Sequence, residues 1–356
     1  MSPHKTDDDV LATCDGQVVK SSFDCLDAPT HVTRIYEGDR EPTIKGTPRV
    51  PTYARKFNIP LQDLRGHEDR LDLQRHGFQY LKLSSETYIH PDEDSNITSY
   101  LEKVTEVVKA ELNATEVICY DYRFRKNQPK LSKDTVYGVD GRKNWDPVSN
   151  KPHIDQTADG ASRRMRRHLS AEEIAKYLDG SDTWRLQIVK CVRNSTSGPF
   201  RVLTMMPYSA WKPLVHPVQD NPITLCDYFS TEEKDLVTIE YHPTPQYAGE
   251  YYSLRYNEAQ RWYWLSDQTA EELLLFLSYD SHPTQGVKYC PHTAFLNPLA
   301  PEDAVPRESI EARMIVIMRY NVCLNPVALS PGSNSKRLSL LTYKYGTART
   351  NRLKVI

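Results

Sequence analysis

Two histidines and an aspartate, met in a particular order, carry the most chemistry in this chain of 356 residues. His153 and Asp155 stand two apart in KPHIDQT, and His292 lies far downstream in PHTAF. Two imidazoles and one carboxylate on one side of an ion form the facial triad of a mononuclear iron(II) site, with positions left for a cosubstrate and dioxygen. In an extended segment residues i and i+2 share a face, so His153 and Asp155 can reach one ion while Ile154 points away. The pair alone is a weak signal among eleven histidines. His67 with Asp69 repeats it inside a dense charge run that reads as an exposed turn or helix, and His90 with Asp92 repeats it inside an acidic loop. Order distinguishes His153: strands follow it, then His292, then a strand opened by an arginine. His282, beside Pro283, is the alternative to His292 but lacks the ensuing strand and arginine.

A jelly roll that uses 2-oxoglutarate needs a guanidinium to fork onto the far carboxylate of that cosubstrate. Arg307 opens the last strand, and Ser309 on the same face can add a hydroxyl; Arg313 shares the parity and competes for the role. Gln156 and Thr157 directly follow the ligand pair and are candidates for the hydrogen bonds that orient metal ligands. Arg185, in WRLQIV, would need an anion if it faced inward and could then hold a substrate carboxylate; facing outward it is merely solvated. Trp262, with Tyr263 and Trp264, either lines the pocket or belongs to the core.

The elements that must position these residues are mostly short strands. EVICYDYRF (116 to 124) is rich in β-branched and aromatic residues, and comparable runs lie at 184 to 190, 201 to 206, 223 to 227, 236 to 242 and 261 to 266. SIEARMIVIMRY, from Ser309 to Tyr320, is the strongest strand and should be central. Leu101, Val104, Val108 and Leu112 at helical spacing predict a helix packed outside the sheet. Ser170 with Glu173, and Thr269 with Glu272, are capping-box starts that predict two more helices, the second through ELLLFL. Strands of this kind around a small-molecule site fit a mainly β fold with flanking helices, a jelly roll of two facing sheets. Residues 1 to 50 read as a polar arm draped on the surface, with order beginning near Pro51 and one domain with helical insertions covering 51 to 356.

Composition bounds the remaining possibilities. Forty-five Lys and Arg against 47 Asp and Glu give a net charge of -2, so nothing draws the chain as a whole to nucleic acid or anionic lipid. The basic run Arg163, Arg164, Arg166, Arg167 and His168 reads as a solvated face, or as a place for an anionic substrate. Seven scattered cysteines without a paired spacing suggest buried free thiols in a reducing compartment, the cytoplasm. The N-terminus has no apolar core for a signal peptide and no run approaches a membrane span, so the sequons at Asn96, Asn113 and Asn194 are fortuitous on this reading. Neither HExxH nor a cysteine-based zinc pattern supports a zinc hydrolase.

PVSNKPHIDQT, PITLCDY, RWYWLSDQTAEELLLFLSYDS, PHTAF and PRESIEAR together resemble the fungal family of asaB-type hydroxylase/desaturases, which includes gibberellin-desaturase-like and cephalosporin-methoxylase-related proteins. DLRGHEDRLDLQRHGFQYLKL resembles its N-terminal region, and coverage runs from about residue 60 to 320. The resemblance implies a distorted double-stranded β-helix, iron(II), 2-oxoglutarate and dioxygen. It implies oxidation of a small metabolite in secondary metabolism, by hydroxylation, desaturation or a cyclisation such as aziridine formation from an amino acid. By position, His153, Asp155 and His292 match the metal motif, and Arg307 or Arg313 the carboxylate clamp. The chain departs from the family where relatives carry an Asn-Val-Trp-Arg-Pro-like segment: here stand Lys190, Cys191, Val192, Arg193 and Asn194, so the pocket wall should differ there. The alternative function is a jelly-roll protein that binds a small molecule without turnover. Oligomeric state has no signature in the sequence.

Overall fold

The computed structural model describes residues 10–38, 41–83, 89, 94–127, 145–180, 183–195, 217–244 and 247–319. Fifteen strands lie among them. In chain order they are β1 (Val18–Leu26), β2 (Arg34–Glu37), β3 (Tyr53–Asp63), β4 (Phe78–Lys82), β5 (Glu116–Lys126), β6 (Trp145–Pro147), β7 (His153–Ile154) and β8 (Trp184–Ser195). There follow β9 (Ile223–Cys226), β10 (Leu236–Thr244), β11 (Tyr247–Leu254), β12 (Trp262–Trp264), β13 (Glu272–Asp280), β14 (His292–Ala294) and β15 (Glu308–Arg319). They form a nine-stranded sheet, β1-β3-β12-β9-β14-β7-β11-β10-β2, and a six-stranded sheet, β4-β13-β8-β15-β5-β6. Non-consecutive neighbours dominate both orders, as in a distorted jelly roll.

β15 is central as expected, flanked antiparallel by β8 and β5. Its residues alternate between two environments. Ile310, Ala312, Met314 and Val316 face outward and are covered by the helix Asp94–Glu111 through Tyr100, Leu101, Val104 and Val108. Arg307, just before the strand, and Ser309 and Glu311 within it take the opposite parity and are buried. The inner face of the small sheet is thus partly ionic, an arrangement that is costly unless the charges are paired or meet a ligand.

Three sequence expectations change. Residues 1 to 50 are not simply a surface arm: β1 pairs with β3 along its length and β2 pairs with β10. β1 buries alternate residues, Val19, Phe23 and Cys25 among them, an alternation that its serines and charges obscure. The segment after Thr269 is no helix but β13, held between β4 and β8. Glu272 does accept from Thr269 N, at 2.8 Å, but the turn leads into a strand. Leu273 to Leu277 are all buried, and a continuous apolar run carries no period by which helix and strand can be told apart. The basic run lies on an unforeseen helix, Ala158–His168, while the helix Ala171–Tyr177 has the expected Ser170/Glu173 capping box. The expected run at 201 to 206, together with His90, Asp92 and Tyr320, lies outside the described residues.

The six described cysteines are unbridged. Burial pushes the thiols of Cys25, Cys119 and Cys226 up to about 12, and Cys191 and Cys290 well above their ordinary value. Only Cys14 among the six is more than slightly exposed. Iodoacetamide at pH 8 is therefore expected to label Cys14 roughly tenfold or more faster than the other five, because the thiolate is the reactive species. Peptide mass spectrometry of the native protein reads this directly, and equal labelling would contradict the burial.

Candidate metal centre

β7 and β14 lie side by side in the large sheet, with His292 directly opposite His153. Their rings sit 4.4 Å apart, centre to centre, inclined at 53°. Asp155 follows β7 by one residue and places Oδ1 3.7 Å from His153 Nε2 and Oδ2 3.7 Å from His292 Nε2. One donor atom from each of the three lies within 4.8 Å of the others. Just beyond, Thr157 caps the helix Ala158–His168 by accepting from Gly160 N and donates its hydroxyl to Glu250 Oε2 at 2.7 Å. A Cβ on Gly160 would come within 2.7 Å of the Glu250 carbonyl, so the close seat of this helix against β11 requires glycine there. The turn holding Asp155 is anchored by that contact.

The protonation pattern suits a metal. His153 Nδ1 lies 2.8 Å from the Lys151 carbonyl and His292 Nδ1 lies 3.1 Å from the Cys290 carbonyl. A carbonyl can only accept, so each Nδ1 carries the proton and each Nε2 presents a lone pair. Burial lowers both imidazole pKa values, strongly for His292, so both rings are neutral at neutral pH. Burial also pushes the Asp155 carboxyl up, but the Lys190 ammonium more than offsets this and holds it well below the usual carboxylate range. His292 Nε2 is buried and makes no hydrogen bond, an orphaned acceptor of the kind a metal ion satisfies. Two neutral imidazoles, one carboxylate and no thiolate match iron(II) with open positions.

A cavity of about 350 Å³ adjoins the triad, lined from the large sheet by His153, Ile223, His292, Thr293 and Ala294, and from the small sheet side by Arg125, Lys190, Val192, Phe276, Arg307 and Glu311. Arg307 is 4% exposed. It donates to the Asn221 carbonyl at 2.9 Å and to Ser309 Oγ at 3.2 and 3.4 Å, with no carboxylate at ion-pair distance among the described residues. Burial and the neighbouring Arg125 pull its pKa down to about 10, so it is still cationic at neutral pH and would be stabilised by an anion. Arg313 is already engaged, with Asp121 at 2.7 Å and Glu311 at 2.5 Å, and does not line the cavity. Arg125 takes Glu311 in a two-pronged pair at 2.9 and 3.1 Å.

Lys190 is the residue that sequence reasoning passed over. Its Nζ lies 2.8 Å from Asp155 Oδ1 and 3.6 Å from Glu311 Oε2, while Ser278 Oγ donates to Asp155 Oδ2 at 2.9 Å. The departure from the family pattern at 190 to 194 pointed to this stretch, and its parity with Val192 put the ammonium on the inner face. Nothing in the sequence paired it with Asp155.

Other candidates fall elsewhere. Arg185 is buried but bound by Asp280, through Nε at 2.9 Å and through Nη2, with Gln74 alongside. Its charge is answered within the protein, and neither it nor Trp262 lines the cavity; Trp262 packs on Phe23 in the core. Gln156 and Thr157 are buried beside the triad, also off the cavity wall. His282 Nδ1 pairs with Ser281, and His67 with Asp15. In the basic run Arg163 bonds Glu250, Arg166 bonds Asp179, and Arg164 and Arg167 stack on Tyr247. Arg185→Ala should leave the Asp280 carboxylate buried and unpaired, at a cost of about 3–5 kcal/mol in urea unfolding, with ligand affinities of the folded protein unchanged. A loss of ligand binding without a loss of stability would restore the substrate role to Arg185.

The family described as "Oxidoreductase/YMDC permease-like domain" matches residues 11–195 and 204–317. The chain belongs to this oxidoreductase family. Among its described residues no helix is long and apolar enough to cross a membrane. Over 281 residues, 76% of this chain and 88% of the relative, it is 28% identical to the Fe(II)/2-oxoglutarate-dependent dioxygenase nvfI of Aspergillus novofumigatus. The hydroxylase/desaturase asaB of Aspergillus flavus is 32% identical over 119 residues, 30% of this chain and 52% of that one, in keeping with the resemblance drawn from the motifs. A solved structure, the iron and alpha-ketoglutarate-dependent endoperoxidase NvfI, superposes with a TM-score of 0.64 at 22% identity, covering 85% of this chain and 99% of that one. That match supports the jelly-roll fold of this member of the family.

Proposed function

We propose that this protein is an iron(II)/2-oxoglutarate-dependent oxygenase of small metabolites, working in fungal-type secondary metabolism. In this reading His153, Asp155 and His292 hold the metal and Arg307 holds the far carboxylate of 2-oxoglutarate. One observation carries it: two imidazoles with outward lone pairs line a cavity beside an ionised carboxylate, and the same cavity is lined by a buried arginine with no carboxylate at ion-pair distance among the described residues. The dioxygenase relatives support the choice of metal and cosubstrate. When bound, iron with 2-oxoglutarate and dioxygen supplies an oxidant strong enough to take hydrogen from carbon, and carbon dioxide and succinate are released.

The chain's own residues supply orientation. The Lys151 and Cys290 carbonyls hold the imidazole protons at Nδ1, so each ring offers Nε2. Ser309 and the Asn221 carbonyl fix the Arg307 fork before any ligand arrives. Val192, Ile223, Phe276 and Ala294 form an apolar wall that excludes water from the reacting carbon. A concave site that places a few polar groups among apolar side chains suits a small-molecule substrate. Unbridged cysteines suit a cytoplasmic location.

A specific contact favours a second reading. The Lys190 ammonium already satisfies Asp155, so a protein that binds small molecules with no metal is also consistent with the ion pair. One experiment separates the two. Purified without oxygen and given iron(II) and 2-oxoglutarate, the protein should develop the visible charge-transfer band of a metal-chelated 2-oxo acid. Folded protein that shows no band and no stoichiometric metal would be a metal-free binder.

A further inference from the structure

β13 carries a buried hydroxyl directly after an apolar run. Leu273 to Leu277 are buried hydrophobics, and Ser278, which follows them, is 2% exposed. The pairing of β13 with β8 shifts at this point: Leu277 lies opposite Val189 and Tyr279 opposite Ile188, so Ser278 is the extra residue of a β-bulge with no residue across from it. In unbroken register it would stand against Ile188, an apolar neighbour. Bulges gather next to functional sites because they re-aim a side chain. Ser278 has the parity of Phe276, which lines the cavity, and donates its hydroxyl to Asp155 Oδ2 at 2.9 Å.

The residue before it is tied to a second ligand. The Leu277 carbonyl accepts from Cys290 N at 2.8 Å, and the Cys290 carbonyl in turn holds His292 Nδ1 at 3.1 Å. Leu277 and Ser278 together therefore reach His292 through a peptide group and Asp155 through a side chain. Asp155 has the greater need of support. It stands on the turn after β7, and the last torsion of an aspartate is soft, with a broad range of rotations close in energy. Two donors remove that freedom, Ser278 on Oδ2 and Lys190 Nζ on Oδ1 at 2.8 Å. Both project from the small sheet, whereas Asp155 extends from a strand of the large one. Held in this way the carboxylate straddles the two imidazoles, with Oδ1 3.7 Å from His153 Nε2 and Oδ2 3.7 Å from His292 Nε2. We propose that Ser278 is a positioning residue of the metal centre: with Lys190 on the other oxygen, it locks the rotation of Asp155 so that the third ligand is aligned before an ion binds. The inference rests on the oxygenase reading, and it gives to Ser278 the orienting role that closeness in sequence suggested for Gln156 and Thr157.

The test uses the full chain without oxygen and cobalt(II) as the probe, whose visible absorption reports both occupancy and the geometry of its ligands. Ser278→Ala should lower the cobalt affinity of the folded protein by roughly 10- to 100-fold, the usual cost of removing an outer partner of a metal ligand, and should change the shape of the bound spectrum. Ser278→Thr keeps the hydroxyl and should bind within about threefold of native, with the native spectrum. A hydroxyl that serves only the packing of the two sheets behaves differently. Ser278→Ala would then unfold at lower urea in the metal-free form, while the folded protein bound cobalt with native affinity and spectrum, and that result overturns the proposal. So does a threonine variant that folds and binds no better than the alanine one. Native protein that takes up no cobalt, or that forms no charge-transfer band with iron(II) and 2-oxoglutarate, contradicts the oxygenase reading before any variant is made, so the two failures are distinct.

Discussion

His292→Ala is expected to lower the affinity for iron(II) by roughly two to three orders of magnitude and to abolish the charge-transfer band at micromolar metal. The size follows from structural zinc sites, whose total of about 10–16 kcal/mol over four ligands is roughly 2.5–4 kcal/mol for each. His292 should sit near the top of that range, because its Nε2 lies buried without a hydrogen bond and its ring is held by the Cys290 carbonyl. Anaerobic equilibrium dialysis with metal analysis measures the affinity. Some stability should be lost as well, since truncation empties the space between His153 and Phe276 and leaves the Cys290 carbonyl without its Nδ1 donor. A variant that keeps stoichiometric tight iron would remove His292 from the site and bring His282 back into consideration.

Arg307→Ala is expected to weaken 2-oxoglutarate by about 30- to 4000-fold, the range for truncating one member of a buried, hydrogen-bonded charge pair, with metal affinity within a few fold of native. The competing arginine provides the contrast. Arg313→Met should cost stability, because Asp121 and Glu311 each lose a close partner, but should leave the cosubstrate affinity within about threefold. Titrating the band with 2-oxoglutarate in both variants decides between them. If Arg313→Met shows the larger loss, the clamp assignment is reversed.

Much of this was legible from local pattern. The i, i+2 spacing of His153 and Asp155 and the downstream His292 identify residues that the β7 and β14 pairing brings together. The parity of Arg307 and Ser309 on the last strand is as anticipated, although the Ser309 hydroxyl accepts from the arginine itself. What escaped was cross-strand. Lys190 on β8 meets Asp155 and Glu311 through the stacking of two sheets, and Asp121 on β5 finds Arg313 through register. Such partners are tens to hundreds of residues apart, and a charge on a strand looks the same in sequence whether it faces water or a buried carboxylate. Arg185 illustrates this: its strand and burial fit a ligand-binding arginine, and only the position of Asp280 shows that its anion is internal. β13 escaped for a different reason, since burial on both faces erases the period that separates strand from helix.

The imidazole protons are held by main-chain carbonyls of residues two positions earlier in the chain, whereas Val192 and Ile223 contribute apolar side chains to the lining of the cavity. Point mutation can exchange Val192 or Ile223 but cannot remove a carbonyl. The two ends of the cavity therefore differ in how freely they can evolve. Selection, or a library confined to those two positions, can explore new substrates against a constant oxidising centre, and variants recovered from it should differ in what they oxidise far more than in how they hold iron.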